Sequence, residues 1–259
     1  MFGAGNVNSG HRHAPRRLRA CGLVLAGLMV TTAACGSDDG GPDSDGAGRS
    51  ASPSGSAPAR GGTALTEAAL KDVAFAEGER IGSYTARGTD GAPLGDAYTA
   101  DPDRCGPLVS LAAGATAHDP AAEVHRQVDI ADEMIGTSVL VQLRSYAGDG
   151  AAAVMKDLAA AGDACAGGYT EERAIARARV LKVEPAGAPA IGDEAVAFRF
   201  TVLDVKGKLR LYEYLTVVRS GSTTLSFRAD FLGTKDIKAV PREIVDAQWK
   251  KFSAARSRA

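Results

Sequence analysis

Hydrophobic residues recur along the chain with two periods, and each period predicts one kind of secondary structure. Spacings of three and four residues predict helices, whereas strict alternation predicts strands. Helical spacing predicts helices at residues 65–77, from 101 to about 112, from 149 to the Gly167-Gly168 pair, and from 241 onwards. Alternation predicts strands at residues 81–87, 121–130, 137–146, 173–183, 194–203, 209–219 and 223–232.

Short turns connect the last strands of the chain. Residues 204–208 and 220–222 are rich in Gly, Ser, Asp and Lys, which is typical of β-hairpin turns. Strands that follow one another through short turns pair antiparallel. The predicted fold class is therefore α+β: a twisted antiparallel β-sheet with packed helices.

The period of two also predicts which side chains share a face of the sheet. An apolar face, expected to meet the helices, is formed by Val139, Val141, Leu143, Val196, Phe198, Phe200, Val202, Leu209, Leu211, Leu215, Val217, Leu225, Phe227 and Phe231. A polar face is formed by Gln142, Arg144, Tyr146, Arg199, Thr201, Arg210, Tyr212, Tyr214, Thr216, Ser226, Arg228 and Asp230. Glu213 falls on the apolar side, which indicates a bulge, a strand end or a wrong facing assignment.

Arginine and tyrosine side chains recur on the predicted polar face. Guanidinium groups bind carboxylate and phosphate in a bidentate manner, and tyrosine offers contact area with one polar tip. We therefore predict that a polar or anionic ligand contacts Arg144, Arg199, Tyr212, Tyr214 and Arg228. A solvated sheet face with cross-strand pairs is the alternative interpretation.

The N-terminus has the three parts of a secretory signal. Arginines at 12–19 precede an apolar run from about 20 to 30, which is too short to span a bilayer, and small residues follow. Ala33-Ala34-Cys35-Gly36 resembles a bacterial lipobox, although Thr32 stands where lipoboxes prefer Leu. This predicts a signal peptide at 1–34 and a diacylglycerol on Cys35, which anchors the protein at the outer face of the cell membrane. Ordinary cleavage and secretion is the alternative.

The segment after the lipobox predicts a tether rather than a folded region. Residues 35–63 are almost entirely Gly, Ser, Asp, Ala and Pro, so they cannot form a core. A flexible chain of this length has a reach of about 30 Å. We therefore expect one extracytoplasmic domain at 64–259, held away from the bilayer.

The chain has four cysteines. Cys21 leaves with the signal peptide and Cys35 is acylated, so Cys105 and Cys165 remain. An even pair in an oxidising compartment predicts one disulfide, which in the chain-entropy model stabilises the fold by about 4 kcal/mol. Two unpaired buried thiols are the alternative.

Composition narrows the possible partners and chemistry. With 30 basic and 31 acidic residues the chain has no overall attraction to nucleic acid. Because only four histidines occur, two of them in the signal peptide, we expect no metal site and no cofactor. The common catalytic motifs are absent, so we do not expect an enzyme. We expect His118 and His125 to be solvated, and a pH-sensing or ligand role is the alternative for His125.

Short motifs, taken in order, resemble a known family. They are Cys105-Gly106-Pro107-Leu108, Cys165-Ala166-Gly167-Gly168-Tyr169, Gly192-Asp193-Glu194-Ala195-Val196 and Arg219-Ser220-Gly221-Ser222-Thr223. They resemble actinobacterial surface lipoproteins, which in turn look like the PknH-like extracellular sensor domain. The resemblance implies an antiparallel sheet with helices, a cleft, and sensing or binding at the envelope. Kinase sensor domains usually hold two disulfides, whereas this chain can form one.

These observations favour a lipid-anchored binding or sensor-like domain of unknown ligand. Its expected partners are the membrane, through the anchor, and a small anionic ligand, a glycan or an envelope protein. With no kinase domain in the sequence, a signalling role requires a partner protein. A structural or assembly lipoprotein is the alternative, and an unrecognised hydrolase is the third hypothesis.

Overall fold

The computed structural model describes residues 62–89, 98–113, 118–130, 137–173, 176–204, 206–231 and 234–256. All of them belong to one unit, which spans residues 55–259. Within these ranges the chain forms one ten-stranded antiparallel sheet and four α-helices, which confirms the α+β prediction. The predicted signal peptide, Cys35 and nearly all of the tether lie outside the described residues.

Runs of three, two and five strands separate the four α-helices along the chain. The helices are α1 (Glu67–Val73), α2 (Gly106–Ala113), α3 (Gly150–Ala164) and α4 (Arg242–Arg256). The strands are β1 (Arg80–Ile81), β2 (Tyr84–Gly88), β3 (Thr99–Asp101), β4 (Ala122–Asp129), β5 (Thr137–Ser145), β6 (Tyr169–Arg173), β7 (Ala176–Pro185), β8 (Glu194–Leu203), β9 (Arg210–Ser220) and β10 (Thr223–Phe231). Their order across the sheet is β1-β2-β4-β5-β10-β9-β8-β7-β6-β3.

One predicted strand is a hairpin in the structure, and two further strands were not predicted. The segment predicted at 81–87 splits into β1 and β2 around Gly82, whose φ of 58° favours glycine. The segment predicted at 173–183 corresponds to β7, and its hairpin partner β6, which begins at Tyr169, was not predicted. β3 was not predicted, because three residues are too few to show a period.

Helices cover opposite faces of the sheet in its two halves. We call the face under α2 and α3 the front face: these helices pack on Phe198, Leu215 and Val217 in β8 and β9. We call the face under α1 and α4 the back face, where these helices pack on Val141 and Phe227 in β5 and β10. Gly162 lets α3 approach β8 closely, since a Cβ there would clash with the ring of Phe198.

This arrangement corrects the prediction of a single apolar face. Residues paired across antiparallel strands point to the same side, and Leu225 pairs with Leu143 and with Val218. Leu215 and Val217, which were assigned to the same face as Leu225, therefore lie on the front. The reason is that the covered face changes at β9: α2 and α3 pack on the front of β8 and β9, whereas α1 and α4 pack on the back of β5 and β10.

The Cys105–Cys165 disulfide is present and confirms the pairing predicted from the cysteine count. It joins the 3-10 turn before α2 to the end of α3, and both cysteines are buried. Of the helices in the described ranges, none is both long and apolar enough to span a membrane.

Candidate polar site on the front face

The five residues predicted to meet one ligand lie on two faces. Register places Arg199, Tyr212 and Tyr214 on the back face, because Arg199 pairs with Tyr214 and Tyr212 pairs with Thr201. Arg228 pairs with Leu215, which faces the front. Gln142 also faces the front, because it pairs with Ser226 and Ser226 pairs with Val217. Arg144, two residues further along β5, therefore points to the same side. The predicted convergence is therefore wrong, and the physical reason is the change of covered face at β9.

Tyr214 and Arg199 are tied to a segment that follows β10. The Tyr214 hydroxyl donates to Oδ1 of Asp236 at 2.6 Å and accepts from the backbone N–H of Ile237 at 2.9 Å. Arg199 pairs with Asp236 and with Glu184. Burial and the Asp236 bond raise the pKa of Tyr214, which stays neutral. These side chains hold the segment onto the sheet.

Arg228 forms a buried ion pair with Glu213, the residue that broke the predicted pattern. Its guanidinium lies 4.9 Å from the ring centre of Phe200 and donates to the carbonyl of Leu108 at 3.3 Å. Burial opposes its charge, but the carboxylates of Glu213 and Glu171 outweigh burial and raise the pKa of Arg228. Glu213, which lies between Leu211 and Leu215 on the front of β9, therefore neutralises Arg228.

A second group of polar side chains occupies the front face of β4, β5 and β10. His125, Gln142 and Ser226 are cross-strand neighbours in one row, and Glu123, Arg144 and Thr224 are neighbours in the next. The Tyr146 hydroxyl lies beside Arg144 and Thr224. We call this set the polar cluster: Glu123, His125, Gln142, Arg144, Tyr146, Thr224 and Ser226.

The polar cluster is buried, yet much of its hydrogen-bonding capacity is unused. Apart from Glu123, each member is no more than 6% exposed. Nε of Arg144 donates to Oε2 of Glu123 at 3.0 Å, but no described residue accepts from its Nη1 or Nη2. The Gln142 amide and the Ser226 hydroxyl likewise have no partner among the described residues. Buried polar groups are nearly always paired in proteins, so this concentration needs an explanation.

Electrostatics keep the carboxylate of the cluster ionised. Nε2 of His125 lies 3.4 Å from Oε1 of Glu123. This contact lowers the pKa of Glu123, burial opposes the shift, and the charge of Arg144 lowers the pKa further. Burial raises the pKa of Tyr146, so its hydroxyl remains protonated. The cluster therefore offers donors on Arg144, Gln142 and the hydroxyls, beside one carboxylate that is already engaged.

Both histidines differ from the solvated side chains that were predicted. His125 is 6% exposed in the polar cluster, because the front face of β4 is covered. His118 is half-buried, with Nε2 2.8 Å from Oδ2 of Asp157 in α3. Among the described residues, no group of three or more His, Cys, Asp and Glu side chains is arranged to hold a metal ion.

Sequence reasoning missed most of the polar cluster. It predicted Arg144, but it treated Gln142 and Ser226 only as members of a polar face, gave His125 a ligand role only as an alternative, and left out Glu123. A signal was available, because polar residues alternate along β4 and β5, two neighbouring central strands. Central strands seldom carry a polar set on a buried face.

Comparison with solved structures identifies the fold. The extracellular domain of PknH from Mycobacterium tuberculosis is 13% identical, with a TM-score of 0.50 over 75% of this chain and 98% of that domain. An uncharacterised protein from Mycobacterium smegmatis, the Rv0999 ortholog, is 15% identical with a TM-score of 0.32 over 68% of this chain and 88% of its own. No family model matches the sequence, and no curated protein matches it. The first comparison shows that the chain shares its fold with the PknH extracellular domain.

Proposed function

We propose that this chain is an extracytoplasmic, sensor-like binding domain, held at the outer face of the cell membrane by a lipid on Cys35. In this proposal the polar cluster binds a small ligand that carries an anionic group. The proposal is for binding rather than catalysis, because the sequence carries none of the common catalytic motifs.

The observation that carries this proposal is the buried guanidinium of Arg144. A fully buried arginine with two unpartnered nitrogens is costly, because a buried donor without an acceptor loses about 1–3 kcal/mol. A carboxylate or phosphate would accept from both nitrogens in the bidentate geometry that guanidinium favours. Gln142 and Ser226, one row away, would bond to polar groups on the rest of the ligand.

Several features support the location outside the cytoplasm. The N-terminal pattern is that of an exported protein, and a lipobox-like Cys35 follows it. The Cys105–Cys165 bond fits an oxidising compartment. The fold resembles a domain described as extracellular in PknH.

Native mass spectrometry tests the ligand. Protein extracted gently from the producing cells should carry a small acidic molecule in addition to its acyl mass. Arg144→Lys, which keeps the charge but replaces the fork by one ammonium group, should lose that molecule. Arg219→Lys is the matched control, because Arg219 lies in the same row but is paired with Asp193 and Glu194. If neither wild type nor control carries a small molecule, or if Arg144→Lys retains it, the binding role is wrong.

Cell fractionation tests the anchor separately. Wild-type protein should sediment with membranes and show a mature N-terminus at Cys35 with acyl mass. Cys35→Ala should leave the membrane fraction. Wild-type protein found entirely in the medium with an unmodified N-terminus would replace anchoring by secretion.

A further inference from the structure

The back face of β7, β8 and β9 carries a set of positively charged side chains. Facing residues there are Arg179, Lys182, Arg199, Thr201, Leu203, Arg210 and Tyr212, which we call the basic strip. A register shift between Val180 and Lys182 lets Arg179 and Lys182 share this side of β7. The alternate residues, such as Phe200 and Val202, are buried under α3 on the front.

The basic strip is accessible to solvent, whereas the other half of the back face is covered by α1 and α4. Arg179, Lys182 and Arg210 are exposed, and Arg199, Thr201 and Tyr212 are half-buried. Seven residues line a cleft of about 360 Å³ here: Leu181, Lys182, Glu184, Arg199, Thr201, Arg210 and Tyr212. This volume falls in the range of ligand-binding clefts.

Positive charge in the strip is only partly neutralised. Arg199 pairs with both Asp236 and Glu184, and Glu184 also pairs with Lys182 at 2.6 Å. Within the described ranges, by contrast, no carboxylate lies within ion-pair distance of Arg179 or Arg210. The chain as a whole carries a net charge of −1, so this local excess of cations is not a consequence of composition.

Register fixes how the cations are spaced. Leu203 in β8 pairs with Arg179 in β7 and with Arg210 in β9. The Cα atoms of the two arginines are therefore two strand spacings, or about 10 Å, apart. The row of Lys182, Thr201 and Tyr212 follows about 7 Å along the strands, and the row of Arg199 lies about 7 Å beyond it. Charges spread over such a length suit an extended ligand better than one small anion.

We propose that the basic strip binds an extended anionic glycan, a polymer of sugars that bears carboxylate or phosphate groups. Arg179, Lys182 and Arg210 contact successive anionic groups, and a sugar ring packs against Tyr212 and Leu203. An exposed ion pair contributes little by itself, so affinity comes from several contacts along one chain. A polymer chain enters the cleft, whereas the surface of a bilayer does not follow its walls.

This site is independent of the polar cluster. The two lie on opposite faces of the sheet and share no side chain, so loss of one leaves the other intact. Removal of Arg179 and Arg210 leaves every described ion pair in place, and the variants are expected to fold as the wild type does.

Binding to polygalacturonate, a carboxylate polymer, tests the proposal, with neutral dextran as the comparison. Wild-type protein should bind polygalacturonate and not dextran. Arg179→Gln/Arg210→Gln should bind at least tenfold more weakly, and the slope of log Kd against log salt concentration should fall by about two. Lys156→Gln/Lys250→Gln removes the same charge from exposed positions on α3 and α4 and should change Kd less than twofold.

Three results would overturn the proposal. They are equal losses in both double variants, equal binding of dextran, and no binding of polygalacturonate by the wild type. Vesicles that contain phosphatidylglycerol provide the remaining comparison. If they bind through Arg179 and Arg210 while the polymer does not, the strip contacts the membrane and the glycan proposal is wrong.

Discussion

Replacement of Gln142 by methionine should stabilise the fold. The Gln142 side chain is 2% exposed, and neither its amide oxygen nor its amide nitrogen has a partner among the described residues. Methionine has a similar length and shape but brings no buried donor or acceptor. The wild-type protein therefore holds an unfavourable group in the place where the proposed ligand binds.

The magnitude follows from the cost of an unpartnered buried polar group, which is about 1–3 kcal/mol. We expect Gln142→Met to raise the free energy of unfolding by this amount. The same change removes a hydrogen-bonding group from the polar cluster, so retention of the small acidic molecule should weaken. Gains in stability at the expense of function are common at binding sites.

Gln248 provides a matched control in the same protein. It is fully buried, and its amide is satisfied on both sides: Oε1 accepts from the backbone N–H of Phe75 at 3.2 Å, and Nε2 donates to the carbonyl of Val73 at 2.7 Å. Gln248→Met leaves both backbone groups unpaired and should lower the free energy of unfolding by about 2 kcal/mol or more.

Urea unfolding at pH 7 measures both variants through the midpoint and the slope. The midpoint should rise for Gln142→Met and fall for Gln248→Met, with the slope unchanged in each. Loss of stability in Gln142→Met comparable to that in Gln248→Met would refute the reasoning, because it would mean that the Gln142 amide is satisfied in the folded protein.

The remaining predictions concern stability elsewhere in the domain. Arg228→Met should lower the free energy of unfolding by about 3–5 kcal/mol because Glu213 loses its cation, and the further change Glu213→Leu should recover most of that loss in urea unfolding. Replacement of Cys105 and Cys165 by alanine should cost about 2–5 kcal/mol, and wild-type protein unfolded with reductant should match the variant. Burial opposes ionisation of Asp236, but contacts with Lys238 and Tyr214 hold its pKa below the usual 3.8. Because this pKa is lower in the folded than in the unfolded protein, the contacts of Asp236 stabilise the fold above about pH 4. This stabilisation is lost as the pH falls towards the lowered pKa. The deficit of Asp236→Asn should therefore be largest at pH 7 and narrow steadily between pH 4 and pH 2, and a constant deficit would contradict this explanation.

Local patterns in the sequence predicted the elements well where turn chemistry was clear. Strands β8, β9 and β10 lie within two residues of their predicted bounds, because hairpin turns with glycine separate them. The facing of these strands could not be predicted in the same way. In β9 residues on both sides are buried, Tyr214 and Val218 on the back and Leu215 and Val217 on the front, so alternation there does not identify the face that a given helix covers.

Contacts between distant residues limited the prediction of the site. Tyr214 and Arg199 have the composition of ligand contacts, but Asp236, which is far away in sequence, engages both of them. Arg144 has the same chemistry, but among the described residues it forms an ion pair only with Glu123, its neighbour across β4 and β5. Only the folded structure shows which guanidinium nitrogens are paired within the protein and which are not.

Burial of β9 on both faces determines how the domain opens. Residues 213–218 are all buried, and the two hydrophobic cores meet at this strand. Its amide hydrogens can exchange with solvent only when both cores separate, so their exchange should report the global free energy of unfolding. The edge strands β1 and β3 are two and three residues long and should exchange through local fraying. The domain should therefore unfold as one cooperative unit, although its helices pack on opposite sides of the sheet.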